Sequence, residues 1–183
     1  VSGVFNGFDF PMTPVISNED VSKVELFQWG LIPAWAQNDE IKKYTLNAKI
    51  ETLSEKPSFK NSMNNRCLIL SDGFFEWQWR DSKGKNKQKY FISVPDKELF
   101  TFAGIWSEWI NPVNDQKVKS YSILTTQANE LMSEIHNSKK RMPVILPQKL
   151  ESDWLNEMPI ADFRDLNVEI IAEKIGGQPS LFD

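Results

Sequence analysis

A chain of 183 residues that is 40% apolar, with seven Trp and twelve Phe, carries too much aromatic surface for a disordered segment and is long enough to bury a core unaided. Its formal charge of −4 excludes wholesale attraction to nucleic acid, so any such contact must come from a local basic face. A single Cys and a single His exclude an internal disulfide and a structural zinc site, and neither metal nor cofactor is expected.

Val1 is not an initiator residue and the chain opens as though in mid-strand, so residues upstream are expected. No repeat or Gly/Pro-rich linker interrupts the sequence, which predicts one domain over residues 1–183 and a flexible tail from 175 to 183. No apolar run approaches the roughly 18 residues of a membrane span and no signal peptide opens the chain. The expectation is a soluble, cytoplasmic monomer, nucleoid-associated if bacterial, with no membrane partner.

Val24 to Trp29 is short, rich in β-branched and aromatic residues and bounded by turn formers, and reads as a strand. Phe59 and Met63 hint at a helix over residues 57–64, and Arg66 to Leu70 is the next strand. Residues 81–87, between Trp79 and Tyr90, read as a hairpin tip before a strand from Tyr90 to Val94. Phe100 to Trp106 and Ser120 to Thr125 are strands flanking a second turn over 111–116. Thr126 offers an N-cap to a helix carrying Leu131, Met132 and Ile135 and ending near His136. Pro147 stands at the first position of a last helix with Leu150, Trp154 and Leu155. The class is α+β, with a mainly antiparallel sheet that is a meander at least in part.

Three lone polar groups in apolar surroundings are candidates for one shared site. His136 reads either as a helix-capping surface residue or as a proton carrier. Glu76 lies between Phe75 and Trp77; if those two pack inward, it faces the other side, either exposed to solvent or desolvated in a cleft and usable as an acid. Asn47 is a turn residue or a polar clamp. Cys67, within an apolar run, reads as a small buried hydrophobe, and the lysines at 83, 85, 87 and 89 as a solvated hairpin. Lys139, Lys140 and Arg141 follow His136 directly and would place a cationic loop beside it, suited to a phosphate backbone.

Six ordered motifs carry a resemblance. They are Trp29-Gly-Leu-Ile-Pro-x-Trp35; Asn47-Ala-Lys-x-Glu51-Thr52; Arg66-Cys-Leu-Ile with Asp72-Gly-Phe-Phe-Glu76-Trp77; Phe102-Ala-Gly-Ile-Trp106; Thr125-Thr-x-Ala-Asn129; and Ile135-His136 with Arg141-Met-Pro-Val-Ile-Leu146. Together they resemble the SRAP family, the SOS-response-associated peptidase-like proteins, over residues 1–155.

That resemblance implies a partly barrel-like sheet with a few short flanking helices. It also implies a protein that recognises an abasic site in single-stranded DNA and becomes covalently attached to it. The family's nucleophile is an N-terminal cysteine exposed by removal of the initiator Met: its α-amine attacks the sugar aldehyde and its thiol closes a thiazolidine. Carried over, Asn47 orients that cysteine and the opened sugar, Glu76 is the general acid/base, and His136 handles protons on the sugar and its 3′ side. Lys49 stands where the family usually has Arg, Arg141 matches a phosphate-contacting Arg, and Thr125 and Trp35 are further contacts to the strand. Two departures accompany the match. The stretch from His136 to Arg141 is longer than usual and needs a bulged loop to bring Arg141 into the site, and the family's cysteine is not among these residues.

Two other readings stay open at this point: a thiol hydrolase built on Cys67, His136 and Asn47, and a non-catalytic single-strand binder. Gln178 to Phe182 is either a frayed terminus or, by resemblance to a short bacterial clamp-binding peptide, a tail for a sliding clamp.

Overall fold

A computed structural model describes residues 3–176. Its elements in chain order are β1 (Met12–Ser17), β2 (Glu25–Trp29), β3 (Asn47–Lys49), β4 (Arg66–Ser71), β5 (Phe74–Trp79), β6 (Lys87–Ser93), β7 (Phe100–Ile110), β8 (Lys117–Gln127), α1 (Glu130–Ile135), β9 (Arg141–Pro143), β10 (Ile145–Leu146), α2 (Gln148–Leu155) and β11 (Ile171–Ile175), with short 3-10 turns between.

A ring of strands forms the centre. β1 pairs antiparallel with β2 and β4, β4 with β7, and β7 with β8. β8 then returns to β2, closing a five-strand partial barrel. An odd ring cannot alternate direction all the way round, so one pair has to be parallel; it is β2–β8, through Gln28↔Ser120 and Trp29↔Tyr121. Beyond that register β3 lies parallel to β8, while β9 pairs with the end of β8 and β10 with β7. The expected α+β class with a barrel-like sheet is borne out, but the meander is broken. β4 skips to β7, and the β5–β6 hairpin leaves the barrel to form a second, antiparallel sheet with β11.

Alternation along the ring strands explains the core. Val15, Phe27, Cys67, Phe102, Trp106 and Tyr121, drawn from all five, point into one cluster. Leu68, Ala103, Ile105 and Leu124 point the other way, where Trp154 of α2, Leu53 and Phe163 cover them. At Gly104 a Cβ would stand 2.2 Å from Cδ1 of Ile69, so the interior closes only around a residue without a side chain. Buried Arg66 fastens α2: its Nη1 donates to the carbonyls of Trp154 (3.2 Å) and Met158 (2.6 Å), and its guanidinium lies 4.4 Å from the Trp154 ring centre.

Three helix expectations shift. Residues 57–64 form only a 3-10 turn at Lys60–Ser62, and Pro147 is the N-cap of α2 rather than its first residue. Thr126 does not cap α1. β8 continues through it because β9 pairs there, and its hydroxyl donates to the Arg164 carbonyl at 2.6 Å. The cap is Asn129, whose Oδ1 accepts the Met132 N–H at 2.9 Å. Asn129→Ala is therefore expected to cost about 1 kcal/mol, read as a melting temperature lowered by about 2–4 °C. No described helix is long and apolar enough to cross a membrane. Ile175 still belongs to β11, and the Gln178–Phe182 segment lies outside the described residues.

Candidate active site

Strand alternation in β5 decides the environment of Glu76. Phe74, Glu76 and Gln78 share one face, opposite Ile92, Tyr90 and Gln88 of β6, while Phe75, Trp77 and Trp79 share the other. The first face is the inner one: Ile92 and Tyr90 are buried in the core, and Phe74 meets Phe102 edge-on at 5.6 Å. Trp77 and Trp79 are 45% and 37% exposed. This reverses the orientation expected from sequence, in which Phe75 and Trp77 packed inward. Glu76 is held against the core with its side chain only 22% exposed. Burial raises its pKa above the ordinary carboxylate value, opposed by His136, by the Trp77 N–H at 3.2 Å and by Lys139.

A short set of hydrogen bonds brings His136 to this carboxyl. Gln78 Nε2 donates to the Glu134 carbonyl (2.8 Å), Trp79 N–H donates to Asn137 Oδ1 (3.0 Å), and Asn137 Nδ2 donates to the Trp79 carbonyl (2.9 Å). The edge of β5 is thereby stapled to the C-terminal end of α1, where His136 is the cap. Its Nδ1 lies 2.7 Å from the Arg141 carbonyl and 3.7 Å from Glu76 Oε1. A carbonyl only accepts, so Nδ1 carries a proton and gives it to Arg141; the carboxylate, beyond hydrogen-bond reach, acts as a neighbouring charge. In the neutral ring this leaves Nε2 as the base.

The longer stretch after His136 folds as the bulge it requires. Lys140 takes φ 51°, its N–H donates to the His136 carbonyl (2.8 Å), and its carbonyl accepts from Ala128 N–H (3.1 Å). Arg141 returns opposite Gln127 of β8. Its guanidinium is paired within the protein. Nη1 and Nη2 bind the two carboxylate oxygens of Glu51 at 2.8 Å each, and Nη2 also donates to the Thr125 carbonyl at 2.6 Å. The same pairing lowers the pKa of Glu51. Asn47 and Lys49 are exposed on the side of β3 that pairs with Ile123 and Thr125, which places both on the face of Thr125.

Glu76, His136, Arg141 and Thr125 thus form one connected cluster through side chains and the backbone carbonyls of Arg141 and Thr125, and Asn47 and Lys49 extend its surface. Trp35 does not join it: 50% exposed, it lines a separate cleft of about 290 Å³ with Pro33, Pro57, Asn61 and Trp106. Cys67 lies at 0% exposure inside the barrel, and burial pushes its thiol far from a reactive thiolate, which removes the nucleophile the hydrolase reading needs. Sequence reasoning missed Asn137, Gln78 and Glu51 as organisers of the site. Glu51 lay within a quoted motif, but no local signal tied it to Arg141.

The profile of the SOS response associated peptidase (SRAP) family matches residues 4–174. The chain belongs to the SRAP family. Among its relatives is the abasic site processing protein YoqW of Bacillus subtilis, 40% identical over 143 residues, which are 78% of this chain and 61% of YoqW. Another is the abasic site processing protein HMCES of Gallus gallus, 33% identical over 176 residues, covering 83% of this chain and 51% of HMCES. The chain therefore spans only about half to three fifths of these SRAP relatives. A crystal structure of a protein from Bacteroides thetaiotaomicron superposes with a TM-score of 0.85 at 38% identity, over 94% of this chain and 77% of that one.

Proposed function

We propose that this SRAP chain is a single domain that processes abasic sites in single-stranded DNA by becoming covalently attached to them. The attacking group is an N-terminal cysteine upstream of Val1, freed by autopeptidase removal of the residue before it. The α-amine adds to the aldehyde carbon of the opened sugar; Glu76 protonates the resulting hydroxyl, which leaves as water, and an imine forms. The thiol then adds across the C=N bond, sulfur to carbon and proton to nitrogen, and closes the thiazolidine. An α-amine titrates near pH 7.7–8.0, so a useful fraction is neutral about pH 7.

The observation that carries this reading is a carboxyl made weaker as an acid by burial and standing beside an imidazole with one ring nitrogen open. That pair suits proton transfer. It is surplus to a protein that only stacks bases, which disfavours the purely binding alternative. The relatives' names point the same way.

To test it, protein with its native processed N-terminus is incubated with abasic single-stranded DNA. A denaturation-resistant adduct that survives Cys67→Ser but is lost with the N-terminal cysteine is the expected result; no adduct refutes the reading. Lys49 is the exposed cation on the Asn47 face, while Arg141 is paired. Lys49→Ala is expected to weaken DNA binding across sequences and to flatten the slope of log K against log[salt] by about 0.7, the share of one phosphate on a single strand. An unchanged slope removes Lys49 from the interface.

A further inference from the structure

Glu51 touches none of the expected catalytic groups, yet the site's geometry runs through it. It follows β3 by two residues and takes the two ends of the Arg141 guanidinium on its two oxygens, at 2.8 Å each. Arg141 is held again by the Thr125 carbonyl at 2.6 Å, so one side chain joins the turn after β3 to β8 and β9. What Arg141 offers the site is its main-chain carbonyl, 2.7 Å from His136 Nδ1. The preceding residue, Lys140, is in the left-handed region at φ 51°, at the end of an exposed loop. Without the anchor at its side chain, the Arg141 peptide is attached mainly to that loop and to the three-residue strand β9.

We propose that Glu51 is a positioning residue: by clamping Arg141 it fixes the carbonyl that holds the proton of His136 on Nδ1, and so keeps Nε2 aimed outward as the base. The proposal rests on the reading of His136 as a proton carrier for the abasic-site reaction. It also gives Arg141 a structural role in the site, through its pairing with Glu51. Carboxylates commonly orient a catalytic imidazole by bonding it directly. Here the carboxylate acts one residue removed, through a guanidinium and a peptide carbonyl.

His136 is the only histidine of the chain, so the two ring nitrogens of the ¹⁵N-labelled, tag-free full chain stand alone in long-range proton–nitrogen spectra. At a pH where the ring is neutral, the wild type is expected to show a protonated Nδ1 and a pyridine-like Nε2. Glu51→Gln, which keeps the shape but not the charge, is expected to transfer a measurable share of the proton to Nε2. Arg141→Lys, which keeps the charge but loses the fork, should do the same. In protein with the native N-terminus, each should slow His136-dependent adduct reversal by about 10–100-fold. A wild-type ring protonated on Nε2 overturns the proposal, as do folded variants with an unchanged tautomer. The wild-type spectrum judges it even if both variants fail to fold. The tautomer needs no DNA: absence of any adduct would sink the proposed reaction while the spectra still decide the clamp.

Discussion

Glu76→Gln is expected to slow adduct formation by about 10²–10³-fold, the usual worth of a positioned general acid, while the protein stays folded. Glutamine fills the same space and accepts the same Trp77 N–H, but it has no proton to give to the departing hydroxyl. The measurement is the time course of denaturation-resistant adduct on abasic single-stranded DNA; a wild-type rate removes Glu76 from the chemistry.

The same substitution has a stability signature of known sign. Burial raises the pKa of Glu76 in the folded protein, so the folded state holds that proton more tightly than the unfolded chain does. The stability tied to it is fully present below the ordinary carboxylate range and is lost as pH rises through the raised value. Glu76→Gln should therefore match the wild type in acid and become the more stable of the two as pH climbs to neutrality. Denaturant titrations at several pH values read this directly, and a mutant that loses ground with rising pH contradicts the burial argument. Glu51 behaves oppositely: Arg141 lowers its pKa, so its contribution is present at neutral pH and lost as pH falls through that lowered value.

His136→Ala is the second large effect. It is expected to slow adduct reversal or strand scission by about 10²-fold, because on the proposed reading it removes the group that handles protons on the sugar. Adduct formation, assigned to Glu76 in the proposed reaction, should suffer less. The lost Nδ1 hydrogen bond should cost about 0.5–1.5 kcal/mol, too little to unfold the chain. Since Nδ1 lies 3.7 Å from Glu76, the imidazole and the carboxyl are close enough to couple, so the double mutant should depart from the sum of the single effects. Release of intact DNA from a purified adduct is the readout, and an unchanged rate in His136→Ala refutes the assignment.

Five strands were legible as short β-branched and aromatic runs between turn formers: those around residues 24–29, 66–70, 90–94, 100–106 and 120–125. β3, β9 and β10, two or three residues each, were not, because so short a segment has no periodicity and exists only where a longer neighbour, β7 or β8, offers it a ladder. The Cap of α1 was misplaced by three residues: Thr126 and Asn129 are both able to cap, and the pairing of β9 with β8 made the choice. Within the site, the motifs named Asn47, Glu76 and His136 but were silent on what joins the last two. The Gln78 and Asn137 staples link residues 56 and 58 positions apart, and contacts of that range leave no local pattern.

Taken alone, the amino-acid order determined the residue types available for chemistry, the alternation that separates Glu76 from its two flanking aromatics, and membership of the family through six ordered motifs. Alternation is a property of the backbone and says only that neighbours oppose each other. Which side of β5 is dry was decided by the second sheet packing its Tyr90 and Ile92 face against the barrel, since desolvation depends on what lies across the gap rather than along the chain. The same holds for His136 and Arg141. Their identities are local, but the proton's place on the ring and the pairing of the guanidinium with Glu51 arise from contacts that exist only once the strands have met.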